Sequence, residues 1–416
     1  MAPDPDAIAA CVLAAFDCLP PKRKPRPRSH GEREWVPLAG VVLSQGDTLS
    51  CVSLGTGMKC LPSSRLARAK GNVLHDWHAE VVAIRALNRH LVDECLRIST
   101  PPYPQSDVLQ PAPHGSPQRF TIRDNVSLHM YCSEAPCGDA SMELTMALQA
   151  DATPWTSAPP TLQASSPAHE STCSSSESQD SNPSALRGRS NFSHLGVVRA
   201  KPSRPDAPPT LSKSCSDKLA LKQSLSLLSS TTSLLISPRN AYLDTLILPA
   251  SQYIPSACSR AFSASGRLKN VLDLHLEQNW SHGYKFHPFT VLPTTHEFAW
   301  SRRAVRAPTE KAIPSNLSAV STPHWQETLI GGVLQGRKQF DVRGASRISR
   351  RAMWIQSVRL AGLLAVSGAC SSAEKKQMYA DMKQSDELAA RRRVKQDVTG
   401  VLGGWIRNSG DEEWVL

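Results

Sequence analysis

Three short stretches carry side chains whose types and spacing suit hydrolytic chemistry on a metal: His78-Ala79-Glu80, Pro136-Cys137-Gly138-Asp139-Ala140-Ser141, and Ser214-Cys215-Ser216-Asp217-Lys218. A zinc ion that activates water needs three protein ligands and one open position. It also needs a carboxylate that stands beside the metal without binding it and moves protons. An H-x-E pair supplies one ligand and that carboxylate together. A Pro-Cys at the start of a helix supplies a thiolate, because the helix N-terminus lowers the thiol pKa. Taken singly each stretch is weak: H-x-E arises often by chance, and an isolated Cys is most often a small buried residue. Their order along the chain, each before a predicted helix, is the stronger signal.

The widespread zinc pattern of base deaminases is H-x-E followed by P-C-x-x-C. Here the second Cys of that pair is replaced by Ala140, so a third ligand must come from elsewhere. Cys215 is the best candidate. Cys132 and Cys173 are its nearest competitors, but Cys132 ends a predicted strand and Cys173 lies in a serine-rich stretch where holding a metal would cost ordering entropy.

The elements that would position these groups are legible from periodicity. Residues 6–19 suggest a first helix, and a basic, proline-rich linker runs to about residue 34. Trp35–Leu43 and Leu49–Leu54 read as strands joined by Gln45-Gly46-Asp47. Helical spacing runs from Ala79 to about Leu96. Val126–Cys132 reads as a strand, residues 139–150 as a helix, Leu219–Leu235 as a helix and Tyr242–Leu248 as a strand. One or two strands are predicted within 285–300, and helices at about 344–366 and 373–402. Residues 151 to about 195 are dominated by Ser, Pro, Thr and Ala and read as a disordered insertion. The predicted architecture is α/β, a mixed sheet with helices packed on it. Its domain covers residues 35–416, with residues 1–34 as an N-terminal helix and linker.

The chain has 416 residues, a formal net charge of +11 and a sequence pI of about 9.2. That surplus favours an anionic partner, nucleic acid first. The run Lys22–Arg28 is either a solvated charge cluster, a nuclear signal or an RNA-binding arm. No segment reads as a membrane span or a secretory signal, and the eleven cysteines read as reduced thiols of an intracellular protein, nuclear or cytoplasmic. Nothing calls for an obligate protein partner.

The motifs together closely resemble one family, the adenosine-to-inosine RNA-editing deaminases. Gly55-Thr56-Gly57-Met58-Lys59-Cys60 resembles the family's stretch before the first zinc motif. The His78, Cys137 and Cys215 stretches resemble its zinc motifs, and Gly344–Arg347, Tyr379 with Lys383, and Gly404-Trp405-Ile406-Arg407 resemble its C-terminal motifs. Val198–Asp206 and the Gly404–Asn408 ending are similar to the tRNA-acting branch. The resemblance implies a cytidine-deaminase-like sheet extended by C-terminal helices. It implies zinc on His78, Cys137 and Cys215, with Glu80 as proton shuttle. Its implied substrate is the adenosine just 3′ of the anticodon of an alanine tRNA.

It also implies a buried inositol hexakisphosphate, with Lys59, Arg85, Lys218, Arg350, Tyr379, Lys383 and Trp405 as binders. One residue of Arg391-Arg392-Arg393 would join them. Lys218 would link that ligand to the zinc shell through Asp217 or Ser216. Three departures fall near the polyphosphate shell: His75 stands where the family has Asn, Ile84 precedes Arg85 in place of Arg, and Leu221-Lys222 replaces an Arg-Trp pair. The rival readings are a cytidine deaminase, which Ala140 disfavours, and an inactive RNA-binding member of the same fold, which the complete ligand set disfavours.

Overall fold

The computed structural model describes residues 3–26, 32–149, 161–162, 185–188, 191–202, 206–305, 311–364 and 378–416. Most of the serine-rich stretch, with Cys173, lies outside them.

The first hairpin forms where the apolar runs and Gly46 place it. Strand β1 (Leu38–Gln45) pairs antiparallel with β2 (Thr48–Thr56). Beside β1 lies β3 (Ser127–Cys132), followed by β4 (Thr245–Pro249) and β5 (Thr290–Thr294), these last three mutually parallel. On the other side of the hairpin come β6 (Ser318–Ser321), β7 (Gln326–Ile330) and β8 (Val333–Leu334), all antiparallel. The eight strands form one mixed sheet in the order β5-β4-β3-β1-β2-β6-β7-β8.

Side chains alternate across this sheet as the strand period of two requires. Leu128, Met130, Leu246 and Leu248 face a core built with helix α2 (Ala79–Ile98), which contributes Ala83, Leu87 and Leu91. Tyr131 and Ile247 face the opposite side, where helix α1 (Pro5–Asp17) packs Ile8, Val12 and Phe16. Asp4 caps α1, accepting the Asp6 amide at 3.1 Å, and Pro5 occupies its first turn. The Asp6 carboxylate accepts bonds from Thr294 and Thr295 at the end of β5 and so fixes the helix to the sheet.

The remaining helices include α3 (Met142–Ala147), α4 (Cys215–Leu225), α5 (Pro255–Phe262), α6 (Arg350–Leu363), α7 (Tyr379–Gln384) and α8 (Ala389–Leu402). The helix expected over 219–235 begins four residues earlier and stops at Leu225, because Ser226 takes a left-handed conformation with φ of 58°. Beyond it, serine and threonine hydroxyls at 229–233 bond one another and nearby backbone and hold a turn. The single helix expected over 373–402 is divided: α7 ends at Gln384, and Ser385 is extended. Among the described residues no helix is long and apolar enough to cross a membrane.

One buried group sets an acid limit on stability. His90 on α2 is only 4% exposed, neither ring nitrogen has a partner, and His324 stacks on it at 5.7 Å. Burial pushes its pKa down to about 4. A histidine that stays neutral in the folded state and protonates when unfolded contributes stability that is lost as pH falls from 6.5 towards 4. Between pH 7 and pH 5 the expected loss from this one group is about 2 kcal/mol. Urea unfolding at the two pH values should show a smaller drop for His90→Phe than for the wild type. An unchanged drop would remove His90 as the cause.

Candidate active site

Two glycines let the backbones around these motifs approach closely. Gly57 has φ of +134°, and a Cβ there would stand 2.2 Å from the Trp77 carbonyl. Gly57 in turn accepts the Ala79 amide at 2.9 Å, which sets the start of α2 against the end of β2. Gly138 has φ of +103°, and a Cβ there would stand 2.2 Å from Ser214 Oγ. The Pro-Cys turn and the start of α4 therefore lie in contact. Ser216 Oγ donates to the Pro136 carbonyl at 2.9 Å and accepts from the Ala140 amide at 3.1 Å, which ties the two motifs together.

Cys215 is the first residue of α4, and its amide donates to Cys137 Sγ at 3.3 Å. The thiol–thiol hydrogen bond from Cys215 holds Cys137 well below the usual thiol range, with Lys201 and His78 assisting. Burial and that same bond push Cys215 up. The Lys201 ammonium stands 3.2 Å from Cys215 Sγ. Glu80, in the first turn of α2, is 7% exposed; burial and the neighbouring Cys137 raise its pKa. A carboxylate held this way is suited to accept and return a proton.

His78 is held by Asp76, which accepts its Nδ1 proton at 2.9 Å and its backbone amide at 3.0 Å through Oδ1. The other carboxylate oxygen accepts Lys201 Nζ at 2.7 Å, Ser212 Oγ at 3.0 Å and Lys218 Nζ. Its three cationic neighbours hold Asp76 well below the usual carboxylate range against the opposing effect of burial. His78 itself is raised to about 10, burial and Lys201 opposing the stronger sum of Asp76 and Cys60. Among the described residues the one trio of potential ligand atoms lying mutually within 4.8 Å is Cys60, Asp76 and His78. Asp76 is a poor ligand there, since both its oxygens are already engaged by donors. Its bond to Nδ1 leaves the far ring nitrogen of His78 as the one that could take a metal, an arrangement common behind metal-binding histidines.

Asp76, Lys201 and Ser212 were not singled out in the sequence. Asp76 lies two residues before His78, and Lys201 within a stretch noted only for resemblance. Lys218 does not reach the site through Asp217 or Ser216 as expected; it bonds Asp76 and Ser212. Asp217 is turned away, accepting Ser214 Oγ at 2.6 Å, the Arg199 amide at 2.9 Å and Arg267 at 2.6 Å.

A second cluster lies on the far side of this relay. Arg85, Asn88, Ser229, Ser230, Thr231, Arg350 and Tyr379 line one cavity with Ile348 and Met353. Beside it, Lys383 donates to Ser230 Oγ at 2.7 Å, and Arg391 to the Leu225 and Leu228 carbonyls at 3.0 and 2.7 Å. Burial, followed by Arg350, lowers Arg85 to about 10; burial with Lys395, Arg391 and Arg350 drives Lys383 well below the usual ammonium range. Trp405 does not line the cavity; Lys213 Nζ stands 5.7 Å above its ring. Lys59 is not brought to the cavity: it bonds Asn316 at the outer end of the Gly55–Cys60 stretch. Near the cavity Asp411 supplies a carboxylate, engaged with His75 at 2.7 Å, the Gly71 amide at 2.8 Å and Arg350 at 3.5 Å.

Residues 53–409 match the adenosine-deaminase (editase) domain family. The chain belongs to that family. It is 36% identical over 415 residues to tRNA-specific adenosine deaminase 1 of Schizosaccharomyces pombe, covering 98% of this chain and 96% of that one. It is 34% identical over 239 residues to tRNA-specific adenosine deaminase 1 of Saccharomyces cerevisiae, covering 54% and 53%. The double-stranded RNA-specific adenosine deaminase of Mus musculus is 33% identical over 107 residues, 25% of this chain and 9% of that one. Among the described residues His78, Cys137 and Cys215 are not gathered as a trio within 4.8 Å; Lys201 links them, bonding Asp76 behind His78 at 2.7 Å and Cys215 Sγ at 3.2 Å.

Proposed function

We propose that this chain converts adenosine to inosine in tRNA by zinc-dependent hydrolysis, at position 37 of an alanine tRNA. The observation that carries the reading is the chain of contacts from His78 through Asp76 and Lys201 to Cys215, which lies against Cys137, in a family defined by adenosine deamination.

The donor set fits zinc. Two sulfur atoms held together at the start of α4 suit a divalent cation, which allows both to ionise. His78 offers its outer nitrogen, oriented by Asp76, and Lys201 counters the excess negative charge of the thiolates. When bound, zinc lowers the pKa of a water to about 7. Glu80 takes the proton of the attacking water and returns protons to the purine ring nitrogen and to the departing ammonia. The base must leave its stack to reach a carboxylate this buried.

The second cluster fits inositol hexakisphosphate by the same reasoning. Buried cations facing one another need a counter-charge, and Asp411 alone cannot neutralise Arg85, Arg350, Lys383 and Arg391. The Lys218–Asp76–Lys201 chain would connect that ligand to the Cys215 sulfur.

Incubation of the purified zinc-loaded protein with total tRNA, followed by inosine mapping, tests the function. Inosine at position 37 of alanine tRNA is the expected result. Inosine only at other positions would replace the substrate, and no inosine from zinc-loaded protein would overturn the activity.

A further inference from the structure

We infer that Lys222, although it departs from the family pattern, is a direct ligand of the buried polyphosphate. The inference rests on the polyphosphate reading above and adds a residue to it. In sequence Lys222 counts as a departure from the family pattern, because Leu221-Lys222 stands in place of Arg-Trp. The fold gives that pair a division of labour. Leu221 packs into an apolar cluster with Leu268, Val398 and Ile406. Lys222, one position and about 100° further round the helix, turns into the cation cluster.

There its ammonium donates to the Leu227 carbonyl at 3.0 Å and the Leu228 carbonyl at 2.9 Å. Arg391 of α8 donates to the same Leu228 carbonyl at 2.7 Å, and Asn88 of the cavity wall to the same Leu227 carbonyl at 3.0 Å; Lys383, Arg85 and Lys395 also act on the charge of Lys222. Burial and these cations together drive Lys222 well below the usual ammonium range. Two neutral carbonyls do not compensate a buried ammonium among four like charges. A multiply charged anion between Lys222 and its neighbours supplies the missing counter-charge and keeps the ammonium protonated. A small, multiply phosphorylated ligand meets that requirement, with phosphates reaching the Arg85–Arg350–Tyr379 wall and the Lys222–Lys383–Arg391 wall together.

The test is refolding yield as a function of added inositol hexakisphosphate, with inositol phosphate released from the natively purified protein measured in parallel. Lys222→Arg keeps the charge. Lys222→Gln keeps a donor for the two carbonyls and removes the charge, and Lys222→Met removes both. Expected are a wild-type protein that releases inositol phosphate, a Lys222→Arg midpoint close to wild type, and Gln and Met midpoints moved at least about tenfold higher, the scale of one charge-assisted contact. A midpoint unmoved in Gln and Met overturns the inference while leaving the polyphosphate reading standing. A shift confined to Met assigns Lys222 to the carbonyls alone and equally overturns it. A wild type that releases no inositol phosphate and refolds fully without it overturns both.

Discussion

Glu80→Ala is expected to form no detectable inosine while binding zinc and tRNA as the wild type does. The side chain sits in the first turn of α2, two residues after His78, and its pKa is raised by burial and by Cys137. A positioned proton shuttle is worth about 10²–10⁴ in rate, and the loss here is expected at or above the top of that range, since the same carboxylate serves several transfers. It is not a metal ligand in this chemistry, so zinc content should hold. The competing account is that Glu80 merely complements the positive end of the α2 dipole, a contribution of about 0.3–1 kcal/mol. In that case the variant would be slightly less stable and fully active. Measuring inosine formation and zinc in the same purified sample separates the two.

Cys215→Ala is expected to lose most of its zinc, and Cys60→Ala to keep it. The contrast matters because Cys60, Asp76 and His78 are the residues whose ligand atoms already lie close together. Asp76, however, is bonded to His78, Lys201, Lys218 and Ser212, and taking it as a ligand would strip Lys201 of its carboxylate partner in a buried setting. The thiol pair has the opposite character: Cys137 receives the first amide of α4, and Cys215 faces an ammonium. Both features favour thiolates waiting for a cation. Inductively coupled plasma analysis of zinc per chain decides between the trios. Full occupancy in Cys215→Ala with loss in Cys60→Ala would move the metal to the other set.

The parts of this site that could be read in the sequence are those whose residue type is itself the chemistry. His-x-Glu and Pro-Cys are rare enough in combination to stand out, and each precedes a helix that apolar spacing makes visible. Asp76 and Lys201 had no such signal. An aspartate and a lysine are ordinary residues, and what makes this pair important is a 2.7 Å contact across 125 positions that only the fold creates. The strands β6–β8 were missed for a related reason. They are short, and residues such as Ser318, Ser321, Gln326 and Glu327 carry little β signal; pairing with β2 and with one another makes them strands. Lys222 was visible only as an anomaly, since the direction of a side chain depends on where its helix stops turning and what packs against it.

The bonds of Asp411 to His75 and to the Gly71 amide have a further consequence for how the molecule comes into being. The Gly71 contact spans 340 positions of the chain. During synthesis the sheet through β5 and helices α1 and α2 can assemble as the chain emerges, but the wall that faces Arg85 and Arg350 cannot close until residue 411 has left the ribosome. Until then Arg85 and Arg350 lack the Asp411 carboxylate that faces them in the folded chain. On the reading proposed above, a polyanion would be enclosed only at this late closure, so its supply would bear on when a newly made chain is finished.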